Sequence, residues 1–167
     1  MALSRNPAVD TVSGIDHLYV TVSNLDRAQA YYDRAMRALG FKKRSRPLAG
    51  GDLHVHYFNR VLQFTLRPAH TGSTAHDPYA PGLHHVCFRV ADRAAVDEIA
   101  RALQAAGIHA TPPREYPQYH DDYYATFFTD PDGIRLEIVN HLDMRKRIAA
   151  EWDKIAPIPD PDSSEDA

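Results

Sequence analysis

Gly14-Ile15-Asp16-His17-Leu18-Tyr19-Val20-Thr21-Val22 and Gly82-Leu83-His84-His85-Val86-Cys87-Phe88-Arg89-Val90 are two versions of one pattern. Each is a strand-like run with a histidine at its fourth place, and each precedes a helical run that ends in glycine. A duplicated module that repeats a histidine at one spot can bring two metal ligands together. The last strand-like run of the second copy, Ile134-Arg135-Leu136-Glu137-Ile138-Val139, can add a carboxylate.

Working outward, the two halves keep the same order. Ser23 or Asn24 offers an N-cap, with Asp26 favourable in the first turn. Leu25, Ala28, Tyr32, Ala35, Met36 and Leu39 fall at helical spacing, and Gly40 stands just past the end. Phe41 opens a short strand, and 52–58 with 61–67 read as a hairpin around Asn59-Arg60. In the second half Asp92 caps a helix to about Ala106, followed by Gly107 and a short strand beginning at 108–110. A hairpin then turns at Asp130-Pro131-Asp132-Gly133, whose residues are strong turn formers. Both halves are therefore β-α-β-β-β units. They make an α+β chain over 14–141, with module 14–67, linker 68–81 and module 82–141. A helix is expected over 142–156. The lead-in at 1–13 and the acidic, Pro-rich tail at 157–167 carry no periodicity and read as flexible.

Composition narrows the class of function. A chain of 167 residues with 25% charged residues and a formal charge of -3 is ordinary for a globular protein. It gives no electrostatic reason to expect nucleic acid or an anionic membrane as a partner. No apolar run approaches the roughly 20 residues of a membrane span. Met1 to Val9 lacks the pattern of a secretory signal, and the single cysteine, Cys87, excludes an internal disulfide. A cytoplasmic protein is the expectation.

Strand alternation sorts the polar groups. Leu18, Val20 and Val22 share one face of the first strand, and His17, Tyr19 and Thr21 the other. Its counterpart separates Val86, Phe88 and Val90 from His85, Cys87 and Arg89. In the fourth strands Gln63, Thr65 and Arg67 oppose Leu62, Phe64 and Leu66, and Arg135 with Glu137 opposes Leu136 and Ile138. Each module thus has an apolar face for its helix and a polar face. Curling the two sheets together would set His17, Gln63, His85 and Glu137 on one interior wall. Two imidazoles, a carboxylate and a neutral oxygen suit Zn, Ni, Mn or Fe(II) with positions open for substrate. The plainer alternative has His17 and His85 as hydrogen-bonded core residues and Glu137 paired with Arg89 or Arg135. Tyr19 and Arg89 flank the same wall. His54 and His56 share one face of a strand and flank the pocket or a hairpin surface. His84 points away from His85, and His141 has no partner that raises it above a surface residue. His120 sits in a long loop with Tyr119, Tyr123 and Tyr124 that forms a lid, lines a pocket or simply packs.

These twin strands, with Phe127-Phe128-Thr129-Asp130-Pro131-Asp132-Gly133-Ile134-Arg135-Leu136-Glu137, resemble the vicinal oxygen chelate superfamily. That group includes glyoxalase I, extradiol dioxygenases, and fosfomycin and bleomycin resistance proteins. The resemblance covers about 14–141 and implies paired βαβββ modules forming a cup-shaped mixed sheet around a divalent metal. His17, Gln63, His85 and Glu137 would be its ligands, and Gln63 stands at the variable place of that set. His120 resembles the histidine that lies outside the ligand set of extradiol dioxygenases, while Phe127 stands where those enzymes carry a catalytic tyrosine. The resemblance implies a glyoxalase-like lyase that chelates vicinal oxygens of a small molecule and stabilises an enolate-type intermediate. Glu137 or His56 would move the proton, and Tyr19, Arg89, His120, Tyr123 and Phe127 would line the pocket. Fe(II)-dependent ring cleavage and metal-free sequestration, as in bleomycin resistance, are the rival activities. A homodimer is the expected assembly.

Overall fold

The computed structural model describes residues 14–47 and 53–155, together with Val12. The lead-in and tail expected at the two ends otherwise lie outside the described residues. Module one runs β1 (His17–Val22), α1 (Leu25–Ala38), β2 (Lys42–Pro47), β3 (Leu53–Phe58) and β4 (Gln63–Pro68). Module two runs β5 (His85–Arg89), α2 (Arg93–Ala105), β6 (Arg114–Glu115), β7 (Tyr124–Thr129) and β8 (Arg135–Asn140). The strands form two four-stranded sheets, ordered β1-β4-β3-β2 and β5-β8-β7-β6. In each, the first and last strands pair in parallel and the others are antiparallel. This is the α+β architecture of paired βαβββ modules expected from the sequence, without a closed barrel. Two expectations shift. The second strand of module two lies at Arg114–Glu115, and Ala110 makes only an isolated bridge to Phe128, because Pro112 and Pro113 cannot extend that pairing. The C-terminal helix is α3 (Leu142–Ala150) followed by a 3-10 turn at Trp152–Lys154.

The helices form where caps and periodicity agree. The Asn24 side chain, rather than Ser23, accepts from Arg27 N at 2.8 Å at the start of α1. Asp92 does the same for Ala95 N at 2.8 Å at the start of α2. Gly40 and Gly107 follow their helices at φ +79° and +72°, a region that costs most side chains strain. From α1, Ala28, Tyr32, Ala35 and Met36 are buried; from α2, Val96, Ala100 and Leu103. They cover the apolar sheet faces, where Phe64, Leu66, Leu136 and Ile138 are at most 1% exposed. Burying each such side chain stabilises the fold by roughly 1.5–3 kcal/mol.

One apolar core joins the modules, because α1 packs on α2 and Phe88 meets Phe41 and Phe64 at ring separations of 6.0 and 6.1 Å. The Asp130-Pro131-Asp132-Gly133 turn is anchored to module one. Tyr32 donates its hydroxyl to Asp130 at 3.1 Å, and Tyr31 donates to the Thr129 carbonyl at 2.9 Å. Ser23 donates both N–H and hydroxyl to Asp132, at 2.8 and 2.5 Å, and Arg27 adds a 2.5 Å ion pair. The turn motif therefore does more than reverse the chain. Among the described residues no pairing joins β1 to β5, so each sheet keeps a free edge strand that carries its histidine.

Candidate metal centre

Register fixes what shares a face. Cys87 lies opposite Glu137 across β5 and β8, and Phe127 lies opposite Glu137 across β7 and β8. Glu137 is only 2% exposed, although it is charged in its ordinary form. Its Oε1 accepts from the Tyr123 hydroxyl at 2.5 Å, and its Oε2 stands 3.5 Å from His85 Nε2. His85 Nδ1 lies 2.8 Å from His84 Nδ1, so His84 bends toward its neighbour rather than away. These groups and Tyr119 line a cavity of about 350 Å³ with Phe127 at its wall. Glu137 is thus held by Tyr123 and His85, not by Arg89 or Arg135.

The neighbours of Glu137 feel its charge. Burial, and then the Glu137 carboxylate, push the Tyr123 phenol far above its ordinary range. Cys87 is exposed along its edge strand, yet partial burial of its sulfur and then the Glu137 carboxylate raise its thiol above the ordinary range.

In module one, His17 Nδ1 lies 2.9 Å from Asp16 Oδ2. Gln63 Nε2 donates to Thr65 Oγ1 at 2.9 Å and lies 3.3 Å from His56 Nδ1. His56 Nδ1 is also 3.0 Å from Thr65 Oγ1, and His56 is buried. Tyr19 is half-exposed and meets the His17 ring edge-on at 5.4 Å.

A single chain does not assemble all four candidate ligands. Among the described residues, His17 does not come within 4.8 Å of both His85 and Glu137. Arg89 lines a different cleft of about 510 Å³, with Asp16, Leu18 and Val61 of module one. His120 leaves the pocket altogether. It joins Asp122 at 2.5 Å, Asp122 lies 3.3 Å from His141, and Arg147 donates to His120 Nε2. These three acid and imidazole groups have donor atoms within 4.8 Å of one another. The Arg147 donor requires a bare Nε2, which puts the His120 proton on Nδ1, toward Asp122. A metal on Nδ1 would reverse that tautomer and set an N–H against the guanidinium. His120, Asp122 and Arg147 are better described as a hydrogen-bonded clamp, with His141 beside it and its Nε2 without a hydrogen bond among the described residues. Burial raises the Asp122 carboxyl, but the Asp143 N–H at 3.0 Å and the His120 bond outweigh it and leave it below the usual range. The clamp ties the start of α3 to the loop before β7. Alternation along a strand could not have shown it, since its members come from a loop and a helix start.

A family model described as the Glyoxalase/Bleomycin resistance protein/Dioxygenase superfamily matches residues 14–138. The chain belongs to this superfamily. Among relatives, it is 26% identical over 148 residues to the metallothiol transferase FosB of Shouchella clausii, covering 87% of this chain and 91% of that protein. It is 25% identical over 124 residues to the uncharacterized protein YqjT of Bacillus subtilis, covering 74% and 95%. Among solved structures, a glyoxylase/bleomycin resistance protein/dioxygenase domain from Frankia sp. EAN1pec superposes with a TM-score of 0.64 at 27% identity. It covers 78% of this chain and 98% of the other.

The superfamily includes proteins that use divalent metals, and the donor set here fits one. Each candidate ligand has one polar atom engaged by a neighbour: His17 by Asp16, Gln63 by Thr65, His85 by His84 and Glu137 by Tyr123. That leaves Nε2 of His17, Oε1 of Gln63, Nε2 of His85 and Oε2 of Glu137 as the donors. Such partners fix the ring orientation and basicity of metal ligands. Two donors about 2.1 Å from one ion, at a tetrahedral angle, stand roughly 3.4 Å apart. The His85–Glu137 separation of 3.5 Å is of that size. Among the described residues no helix is long and apolar enough to cross a membrane.

Proposed function

We propose that this protein is a metal-dependent, glyoxalase-like enzyme that chelates neighbouring oxygens of a small molecule. Its single domain would span 14–141, with the two modules joined by 68–81. The observation that carries the reading is the buried Glu137, with one oxygen held by Tyr123 and the other facing His85 Nε2 at 3.5 Å. The similarity to a metallothiol transferase over most of both chains supports a metal enzyme over simple sequestration. His17, Gln63, His85 and Glu137 would hold Zn, Ni, Mn or Fe(II). The ion supplies Lewis acidity toward two substrate oxygens, lowering the cost of negative charge that develops on them.

The remaining work falls to this chain's side chains. Tyr123 keeps Glu137 oriented and, with Phe127, forms a wall against which the substrate's carbon frame packs. His56, whose Nδ1 is held by Thr65 and Gln63, is the proton carrier, with Glu137 as the alternative base. Tyr19 borders the same face, while Arg89 and His120 act from the margins: the inter-module cleft and the α3 clamp. Since His17 stands apart from His85 and Glu137 in one chain, and β1 and β5 keep free edges, a homodimer that sets β1 of one chain beside β5 of its partner would complete the site. The protein would act in the cytoplasm.

Metal analysis of untagged protein after expression with supplemented Zn, Ni, Mn and Fe tests this. About one ion per chain, lost in His85→Ala and Glu137→Gln, is the expected result. Persistent absence of metal would overturn it and leave a small-molecule binding protein.

A further inference from the structure

The polar face of module one contains more than its two candidate ligands. The register stacks it in three rows: His17, Gln63, Phe58 and Lys42; then Tyr19, Thr65, His56 and Arg44; then Thr21, Arg67, His54 and Arg46. The last position follows because β3 runs antiparallel to β4, which sets His54 one row beyond the His56–Thr65 pair. Successive rows lie roughly 7 Å apart along the strands.

Two features of this face go unused by the metal centre. The first is charge. Lys42, Arg44, Arg46 and Arg67 stand on these rows, and no Asp or Glu does. Among the described residues Lys42, Arg44 and Arg67 have no ion pair, whereas Lys43, one residue along on the opposite face, is paired to Asp33 at 2.6 Å. The second is His54. It is 2% exposed, and among the described residues neither ring nitrogen has a hydrogen-bond partner. A buried polar ring without partners is costly, and native proteins tolerate few. Its ring lies 5.7 Å from Tyr19 and 6.0 Å from His56, and Tyr19 lies 5.4 Å from His17. His54 is thus two ring contacts from the candidate ligand His17.

We propose that the third row is an anion subsite, in which a ring N–H of His54 and the guanidinium of Arg67 take a carboxylate or phosphate group of the substrate while its neighbouring oxygens face His17 and Gln63. The inference rests on the metal-centre reading for the second half of that sentence, and it narrows the substrate to a class. The molecule carries an oxyanion about two rows, roughly 13 Å along the strand direction, from its chelating oxygens. Arg44 in the middle row adds long-range attraction along the way. Such an occupant gives His54 the partner it lacks and neutralises a face that otherwise holds only positive charge.

The test uses the full-length, metal-free protein labelled with ¹⁵N-histidine, so that its outcome does not depend on metal binding. Inorganic phosphate and propionate are titrated separately at fixed pH and ionic strength, with chloride as the control. The expected result is a saturable shift of the His54 ring resonances with one of the two anions, which also tells phosphate from carboxylate recognition. His54→Leu should abolish that saturable binding yet melt no lower than the natural protein, because it removes an unpartnered buried ring. Arg67→Gln, with His54 in place, should weaken binding at least tenfold. Glu137→Gln, which tests the metal reading, should leave anion binding unchanged. Equal shifts with chloride, or binding unaltered in both His54→Leu and Arg67→Gln, would overturn the subsite.

Discussion

Two individually defective chains should restore each other. The structure separates His17 and Gln63 on one module from His85 and Glu137 on the other, and leaves β1 and β5 with free edges. If modules pair across a dimer, each of the two sites takes the first pair from one chain and the second pair from its partner. His17→Ala then spoils both sites of its homodimer, and so does Glu137→Gln. A hybrid of the two variants collects both defects in one site and leaves the other site with natural residues throughout. Random reassortment of an equal mixture makes about half the dimers hybrid, each with one intact site of two, so about one quarter of natural capacity returns. The assay is metal content. The two variants are unfolded together, refolded, freed of excess metal on a desalting column, and compared with variants refolded apart. Recovery near a quarter supports sites shared between two chains. Metal content equal to the mean of the separate variants would rule out shared sites, because sites closed within one chain can never regain what that chain has lost.

The hydroxyl of Tyr123 can be tested without touching a ligand: Tyr123→Phe leaves Glu137 Oε1 unsatisfied and should weaken metal binding about 10–100-fold, measured by competition with a chromophoric chelator. An unchanged affinity would show that Tyr123 only packs. Asp132 concerns stability. Burial raises its carboxyl, but the Ser23 bonds and the Arg27 charge outweigh that and hold it below the usual range. A carboxyl depressed on folding stabilises above its unfolded value of about 3.9 and loses that contribution as pH falls through its folded value. Asp132→Asn should therefore cost about 1–2 kcal/mol in urea unfolding at pH 7, with the gap closing below about pH 4. A gap of constant size from pH 7 to pH 3 would show that charge is not the cause.

Much of the molecule was legible because the responsible forces are local. The caps at Asn24 and Asp92, the glycines past both helices, and the alternation along β1, β4, β5 and β8 depend on neighbours within a few residues. The same alternation put His17, Gln63, His85 and Glu137 on the polar faces. It failed at His84, because a side chain just before a strand is not bound by the strand's period. The grouping of His120, Asp122 and His141 was out of reach for a related reason: no period links a loop to the start of a helix.

By itself, then, the sequence determined two βαβββ modules and which side chains share a strand face, those of His17, Gln63, His85 and Glu137 among them. These are settled by periods of 2 and 3.6 residues and by end caps, which act over short stretches of chain. Only tertiary structure decided how the halves dock: through an apolar core and the anchored Asp130–Gly133 turn, with the histidine-bearing edges left unpaired. It also decided which atoms of each ligand are already engaged, and that His54 is buried without a partner while Glu137 is buried with two. Those outcomes depend on contacts between residues far apart in the chain, whose geometry no local pattern encodes.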